Sequence, residues 1–384
     1  MLPGCVEYTS VPMGQFPGEP FSYFRAIAWE VLSPKLEWLL WDIDKAYVTL
    51  TSFRLFLSPH LKRITLYGYS GLMSCIPRDK LDIPAQIILS FPASLEDLSL
   101  MCGQGHEEPL KDAISTFVRR CGSSLRRFSS HAPLSEAAIF HLMQLPNLRS
   151  WVIVQKPPRT IPTSIFPSLK QLRFHKTMAL PWLRLLASHG KGTLQNGSAS
   201  PTLHIHVRET LTSITCPCTT IDNPTLLSSA ADFRNLAVLC LQTYCSNVEG
   251  CRFHLADNDM ENLVVMLPRL EKLEPGQACC FGSCNTTVAS LLMASVHCLD
   301  LIKLEIHFNT RTIVGGIQRL LGGGFGHDKV KCKLRNLAVG YLLLRVCGED
   351  IETVAMGFKF IFPCLTDFAD QSGLWYELGC RIRD

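Results

Sequence analysis

One short apolar pattern recurs along almost the whole chain, and it restricts the possible folds more than any other feature. Each copy has a proline, serine or cysteine step, a leucine, two variable residues, a large apolar residue, one variable residue and another apolar residue, as in SPKLEWLLW, PASLEDLSL and FPSLKQLRF. Successive copies lie 21 to 42 residues apart. Self-similarity at about this period is typical of a solenoid built from one repeated unit. The leading residues of the twelve copies are Leu36, Leu61, Leu95, Leu125, Leu148, Leu169, Leu211, Leu236, Leu270, Leu301, Leu334 and Leu365.

The stretches between the copies have the apolar spacing of amphipathic helices. Ser135, Asp257 and Thr286 stand where the N-caps of three of these helices are predicted. Several helices are expected to end at the proline that opens the next copy. The clearest apolar faces consist of Leu110, Ile114, Phe117 and Val118 in one segment and Ile351, Val354, Phe358 and Ile361 in another.

Strand and helix periodicity together predict how the units stack. In a strand, the second and third apolar residues of the pattern point to one side and the variable residues to the other. A helix between successive strands returns the chain so that the strands run parallel. Because helices are wider than strands, the stack should bend. We therefore predict an α/β solenoid (horseshoe) with a parallel concave β-sheet and helices on the convex face, formed by residues 31–384 after an irregular segment 1–30.

Composition excludes several classes of protein. With 47% hydrophobic and 18% charged residues, the chain has ample apolar surface for a core. It has no apolar run long enough for a membrane helix, and its first twenty residues do not resemble a secretory signal, so we expect a cytoplasmic or nuclear protein without a membrane partner. The 17 cysteines are then expected to be reduced core thiols. A net charge of +4 is too small to predict nucleic-acid binding.

The chain resembles the leucine-rich-repeat region of fungal F-box proteins, from about Leu32 to Leu365. LSPKLEWLLWDI and FRLFLSPHLKRITL are similar to the first two repeats after an F-box, and FPSLKQLRF is similar to a middle repeat. DNDMENLVVMLPRLEKLEPG and TTVASLLMASVHCLDLIKLEI are similar to later repeats. The resemblance implies a substrate receptor of a cullin-RING ubiquitin ligase, in which the F-box binds the ligase adaptor and the repeats hold the protein to be ubiquitinated.

The chain differs from that family in two features. No F-box-like helical segment opening with LPxE stands before the first repeat, so three readings stay open: an F-box supplied upstream, a stand-alone repeat scaffold, or a truncated non-functional relative. The asparagine or cysteine that follows the last leucine of regular repeats is also replaced, by Tyr69, Gly103 and Tyr244. The backbone there must find other hydrogen-bond partners.

No motif predicts a catalytic site, a metal or a cofactor. Cys279, Cys280 and Cys284 lack the paired C-x2-C spacing of zinc knuckles. His204 and His206 would share one face of a strand, but no third ligand is identified. The glycine run that begins at Gly322 lacks the Lys-Ser/Thr of a phosphate loop and is expected to end a helix. An enzyme using a Cys/His pair or zinc is the less favoured alternative to a binding module.

The candidate partner-binding surface is the outward side of the strands in the first half of the chain. A basic stripe there would suit an acidic or phosphorylated peptide, because arginine binds such oxygens in bidentate fashion. In the second half Lys272, Glu274, Lys303 and Glu305 alternate in sign and can pair across neighbouring strands. The predicted partner-binding residues are Arg63, Tyr67, Arg127, His131, Gln171, Arg173 and His175, and the same outward set also includes Thr65, Asp97, Ser129 and Val152.

Overall fold

The chain forms two compact units, Met1–Leu169 and Lys170–Asp384, each described by itself below. The computed structural model describes residues 5–7, 35–42, 56–67, 82–101, 107–159, 165–174, 178–188, 206–218, 223–243, 255–275, 286–306, 312–322, 332–339, 348–370 and 376–383. That all of residues 31–384 belong to one solenoid stays a prediction.

The first unit contains a parallel sheet and helices. Its described strands are β1 (Cys5–Glu7), β2 (Trp38–Asp42), β3 (Arg63–Tyr67), β4 (Asp97–Met101), β5 (Arg127–Ser130) and β6 (Ser150–Ile153), each paired in parallel with the next. Its described helices are α1 (Asp82–Leu89), α2 (Glu107–Arg120) and α3 (Glu136–Gln144). Strand β1 lies in the segment for which no regular structure was predicted.

The second unit repeats the same plan. Its described strands are β7 (Gln171–Phe174), β8 (Ser213–Cys218), β9 (Val238–Thr243), β10 (Lys272–Glu274), β11 (Lys303–Ile306), β12 (Asn336–Val339) and β13 (Asp367–Asp370), and successive strands pair in parallel. Its described helices are α4 (Ala179–Ser188), α5 (His206–Thr210), α6 (Asn223–Ala230), α7 (Asp257–Met266), α8 (Val288–His297), α9 (Ile313–Gly322), α10 (Gly348–Ile361) and α11 (Tyr376–Arg383). No helix within the described ranges is long and apolar enough to cross a membrane.

The leucine pattern fixes where the strands begin. Each of the twelve leading leucines stands two residues before the start of one of the strands β2 to β13. The next apolar residue then occupies the same level in every strand, which confirms the predicted parallel stacking within each unit. In the first unit this buried row is Leu39, Ile64, Leu98, Phe128 and Trp151. In the second unit it is Leu172, Ile214, Leu239, Leu273, Leu304, Leu337 and the half-buried Phe368.

The helices lie against this apolar face, as the pattern predicted. Phe358 of α10 contacts Phe368 of β13, with ring centroids 5.7 Å apart. The four apolar residues predicted to face inward from α2 are all at most 2% exposed. On α10 the predicted face is buried except at Ile351, which is half-exposed in the first turn.

A ladder of backbone hydrogen bonds joins the repeats just before strands β3 to β6 and, in the second unit, β8 to β13. The Glu37 carbonyl accepts hydrogen bonds from the N–H groups of Lys62 and Arg63, at 2.9 and 3.0 Å. In the second unit the Glu271 carbonyl accepts from Ile302 and Lys303, at 2.7 and 3.0 Å. Direct pairing between adjacent turns therefore satisfies these backbone groups. Tyr69, Gly103 and Tyr244, where the regular asparagine is missing, lie outside the described residues.

Side chains form a second ladder at the position before the leading leucine. The Asn147 amide donates to the Ser123 carbonyl at 2.7 Å, and the Asn235 amide donates to the Glu209 carbonyl at 2.9 Å. The Ser124 hydroxyl donates in the same way to the Ala93 carbonyl, at 3.2 Å. These residues bridge consecutive repeats at a position that the sequence patterns did not single out.

One of the three predicted helix caps is confirmed and two are wrong. Ser135 caps α3, accepting a hydrogen bond from the Ala138 N–H at 3.3 Å. Asp257 is already the first residue of α7, and its carboxylate instead accepts from the Thr287 N–H and hydroxyl, both at 2.7 Å. Thr287, and not the fully buried Thr286, caps α8. Asp257 therefore links α7 to the start of α8. Residue spacing along one helix does not reveal such a contact.

The described cysteines behave as structural thiols. Seven of them are free, and five of these seven are buried. The Cys298 thiol donates to the Leu267 carbonyl at 3.5 Å, and the Cys332 thiol donates to the Cys298 carbonyl at 3.4 Å. Burial raises the pKa of Cys298 to about 12. The expected core thiols without disulfide bonds are therefore found at the five buried positions, Cys121, Cys216, Cys240, Cys298 and Cys332, whereas Cys364 is exposed.

Two helical glycines should respond in opposite ways to alanine substitution. A Cβ added at Gly357 would lie 2.3 Å from Ile317 Cγ2, whereas a Cβ at Gly315 would meet nothing within 4 Å. Gly357→Ala should therefore destabilise the protein by roughly 1–3 kcal/mol through overpacking between α9 and α10. Gly315→Ala should stabilise it by up to about 1 kcal/mol through helix propensity. Urea unfolding of both variants measures the difference, and equal shifts in one direction would contradict this packing.

Candidate protein-binding face

The face of the first unit's sheet that points away from the buried row carries a ladder of large and charged side chains. Trp38, Arg63, Asp97, Arg127 and Ser150 occupy the same level of β2 to β6, directly beside one another. They share this level because each lies two residues after a leading leucine and one residue before the buried apolar row. We call this set the open-face ladder.

Asp97 lies between the two arginines of the ladder. Arg63 Nε is 3.3 Å from Asp97 Oδ2, and an Arg127 terminal nitrogen is 3.7 Å from the same oxygen. The Asp97 side chain is 18% exposed, whereas those of Arg63 and Arg127 are 54% and 65% exposed. The carboxylate thus anchors the two guanidinium groups, and most of their surface remains open to solvent.

The charge of this surface differs from that of an uninterrupted basic stripe. Two guanidinium charges and one carboxylate leave the triad with one net positive charge. Each guanidinium has five N–H donors, and a single ion pair to Asp97 leaves several of them available for another acceptor. Ion pairs at a protein surface contribute only about 0–1 kcal/mol each, and both arginine side chains are more than half exposed, so a partner can compete for them.

A row of mostly small side chains lies next to the open-face ladder. Leu40, Thr65, Ser99, Ser129 and Val152 are in register one step further along β2 to β6, and all of them are half-exposed. Because serine and threonine are short, this row leaves room beside the long arginines. An extended segment of a partner could contact both rows at once.

The other predicted partner-binding residues are not members of the open-face ladder. Tyr67 lies on the same face of β3 as Arg63, at the opposite end of the strand. His131 directly follows β5, and its backbone N–H donates to the Leu100 carbonyl at 3.1 Å. Gln171 and Arg173 are exposed on β7 of the second unit. His175 lies outside the described residues.

Asp97 is the residue of the candidate face whose contacts the sequence patterns missed. It belongs to the outward set, but it is not among the predicted partner-binding residues, of which the arginines and histidines were expected to stand out. The signal was present, since Asp97 follows Leu95 at the same distance as Arg63 follows Leu61 and as Arg127 follows Leu125. Aligning the copies in register would have placed a carboxylate between the two arginines.

On the second unit the predicted charge pairing is found for Lys272, Glu274 and Lys303, whereas Glu305 does not take part in these ion pairs. Lys272 and Lys303 lie 3.0 and 2.7 Å from one Glu274 oxygen, and the Glu274 side chain is only 10% exposed. Burial opposes ionisation of Glu274, but hydrogen bonds from the two lysines outweigh it and lower its pKa. Burial, with Glu274 nearby, raises the pKa of Glu305. Lys272, Glu274 and Lys303 therefore bind one another within the sheet.

The structure gives no support to the alternative metal and phosphate sites where it describes them. Among the described residues, no group of three or more His, Cys, Asp or Glu side chains could hold a metal ion. Cys279, Cys280, Cys284 and His204 lie outside those residues. His206 begins α5, so the strand geometry considered for the histidine pair is wrong at this position. Gly322 is the last residue of α9, as expected of a helix stop.

The chain was also compared with known proteins. No family model matches it. No curated protein matches it either. The functional interpretation therefore depends on the repeated α/β architecture and on the open-face ladder.

Proposed function

We propose that the chain is a leucine-rich-repeat module that binds another protein on the open sheet face of its first unit. In this proposal the repeats form a horseshoe with a concave sheet, and the open-face ladder is the centre of the binding surface. The module performs no chemistry of its own. The partner contacts Arg63 and Arg127 directly.

The exposure of these two arginines is the observation that carries the proposal. More than half of each side chain is open to solvent, although both are held in place by Asp97. Arginine and tryptophan are enriched among the residues that contribute most to protein interfaces. The open-face ladder offers two arginines on strands β3 and β5, with Trp38 beside Arg63 and 36% exposed.

The resemblance to the repeat region of fungal F-box proteins supports a more specific version. In that version the chain is the substrate-receptor portion of a cullin-RING ubiquitin ligase and acts in the cytoplasm or nucleus. A stand-alone repeat scaffold would use the same binding face without the ligase. Recovery of a ligase adaptor and a cullin with the full-length gene product would favour the receptor version, and recovery of the substrate partner without them would favour the scaffold.

Neutralising the two arginines should separate binding from folding. We expect the Arg63→Gln/Arg127→Gln variant to retain its thermal stability within a few degrees, because both side chains are exposed and surface substitutions usually change stability by less than about 0.5 kcal/mol. Its recovery of the partner captured by the wild-type protein should fall at least about tenfold, equivalent to about 1.4 kcal/mol. Quantitative mass spectrometry of captured proteins measures this ratio.

The matched control removes the same charge elsewhere on the first unit. Arg119 in the last turn of α2 and Arg149 in the turn before β6 are both exposed. Arg119→Gln/Arg149→Gln should leave partner capture unchanged. Equal capture by both double variants would exclude the open-face ladder as the binding surface.

A further inference from the structure

We infer that the partner presents two separate carboxylate side chains to the open-face ladder, one to Arg63 and one to Arg127, and not a single phosphate group. This inference rests on the proposed function and specifies the partner's chemistry. It also narrows the expectation from sequence, which left acidic and phosphorylated segments equivalent. The deciding residue is Asp97.

The first step concerns the position midway between the arginines. A phosphate held by both guanidinium groups would have to lie close to that midpoint, because strands β3 and β5 are separated only by β4. Asp97 already contacts both arginines there. A phosphate of charge about −1.5 to −2 would therefore be repelled by a carboxylate at the place where it gains most from the arginines.

The second step concerns the donors that stay available. Asp97 contacts Arg63 through Nε and Arg127 through one terminal nitrogen. The remaining N–H groups of the two arginines can donate to acceptors at two separate positions, one beside each arginine. A single carboxylate carries one negative charge and can accept two parallel hydrogen bonds from a guanidinium group. Two carboxylates, each placed away from Asp97, match this arrangement better than one doubly charged group.

The third step gives the spacing of the two carboxylates. Neighbouring strands lie about 4.8 Å apart, so the backbones at Arg63 and Arg127 are separated by about 10 Å across β4. In an extended peptide, side chains on the same side two positions apart are separated by about 7 Å, and those four positions apart by about 13 Å. Because Asp97 keeps both incoming acids on the outer sides of the arginines, the four-residue spacing fits best.

Trp38 adds a directional feature. It occupies the level of the ladder next to Arg63, on the side away from Asp97, and its ring is partly exposed. Arg127 has Ser150 as its neighbour at that level instead. An apolar residue beside one of the two acids would bury part of the indole, which favours one direction of the partner across the strands.

Defined peptides test the inference on the full chain. The probes are fluorescent Gly/Ser peptides that carry either two glutamates separated by two to seven positions or one phosphoserine of equal formal charge. Fluorescence anisotropy at low ionic strength measures their binding, since screening by salt weakens exposed charges. We expect the wild-type protein to bind the pair four positions apart at least fivefold more tightly than the phosphoserine peptide.

Asp97→Asn should reverse the preference. Removing the central carboxylate frees the midpoint for a doubly charged group, so affinity for the phosphoserine peptide should rise about fivefold or more, while affinity for the glutamate pair changes less. Asp112→Asn, which removes an exposed carboxylate on α2, is the matched control and should change neither affinity.

Three outcomes would overturn the inference. These are equal or tighter wild-type binding of the phosphoserine peptide, no binding of any acidic peptide above the Gly/Ser scaffold, and an Asp97→Asn variant with unchanged preference. None of them affects the capture experiment with the Arg63→Gln/Arg127→Gln variant. Loss of partner capture in that variant together with one of these outcomes would retain the binding face and reject only the carboxylate pair.

Discussion

Replacing Leu98 with aspartate should abolish cooperative folding of the first unit. Leu98 is 1% exposed and lies between Ile64 and Phe128 in the buried row. The substitution removes a packed apolar side chain and introduces a charge without a partner. We expect a loss of at least about 4 kcal/mol, which is a large part of the 5–15 kcal/mol that stabilises a typical domain. Circular dichroism and urea unfolding measure the loss.

A substitution on the other face of the sheet is the control. Ser129 lies on β5 in the row beside the open-face ladder, is half-exposed, and is the immediate chain neighbour of the buried Phe128. Ser129→Asp should change the free energy of unfolding by less than about 1 kcal/mol, since the new carboxylate can stay hydrated and lies near Arg127. Normal unfolding of Leu98→Asp, or collapse of Ser129→Asp, would mean that the two faces of the strands are assigned the wrong way round.

Replacing Glu274 with glutamine should destabilise the second unit at neutral pH. Glutamine preserves the size of the side chain but removes the charge that binds Lys272 and Lys303. The two lysines would then repel each other across a buried neutral group. Because both lysines are partly exposed, we expect a loss of roughly 1–3 kcal/mol, below that of a fully buried ion pair.

The pH dependence of this loss identifies its electrostatic origin. The pKa of Glu274 is lowered in the folded protein from its ordinary value of 4.5. Its ionisation therefore stabilises the fold fully above that value, and this contribution is lost as the pH falls through the lower folded pKa. Urea unfolding at successively lower pH, starting from pH 7, should show the wild-type and Glu274→Gln proteins converging as the pH falls through the lowered pKa of Glu274. A difference that stays constant with pH would indicate a packing defect.

Glu305→Gln on the adjacent strand provides a control of opposite sign. Burial, together with the Glu274 charge, raises the pKa of Glu305. A raised carboxyl pKa means that the folded state disfavours the ionised form, so ionisation of Glu305 lowers the stability of the fold at pH values above that pKa. Neutralising Glu305 should therefore leave stability at pH 7 unchanged or slightly increased. A loss equal to that of Glu274→Gln would contradict the assignment of the two carboxylates.

Much of the fold was predictable because the repeat restricts the backbone locally. The leucine and its two apolar followers define the strand, its register and its buried side within about nine residues. The weak copies at Leu125, Leu211 and Leu365 still begin strands at the same offset. Features that depend on two repeats at once were not predictable, as shown by Asp257, which bonds to the start of the next helix instead of capping its own.

The candidate site shows the same division. The outward direction of Arg63 and Arg127 follows from their place in the pattern, because side chains alternate along a strand. Their shared contact with Asp97 does not follow from any single copy, since the three residues are 34 and 30 positions apart in the chain. Charge alone suggested one continuous basic surface, whereas the register of β3, β4 and β5 places the Asp97 carboxylate between the two arginines.

The amino-acid sequence by itself determined which segments become strands β2 to β13, which side of these strands is buried, and that strands and helices alternate. These properties depend on the spacing of apolar residues, which can be recognised within a few consecutive positions of the chain. Only the tertiary structure decided which charges meet, which caps bridge successive helices, and which backbone carbonyls bind the next turn. Such contacts join residues about thirty positions apart, so they exist only after neighbouring repeats have stacked in register.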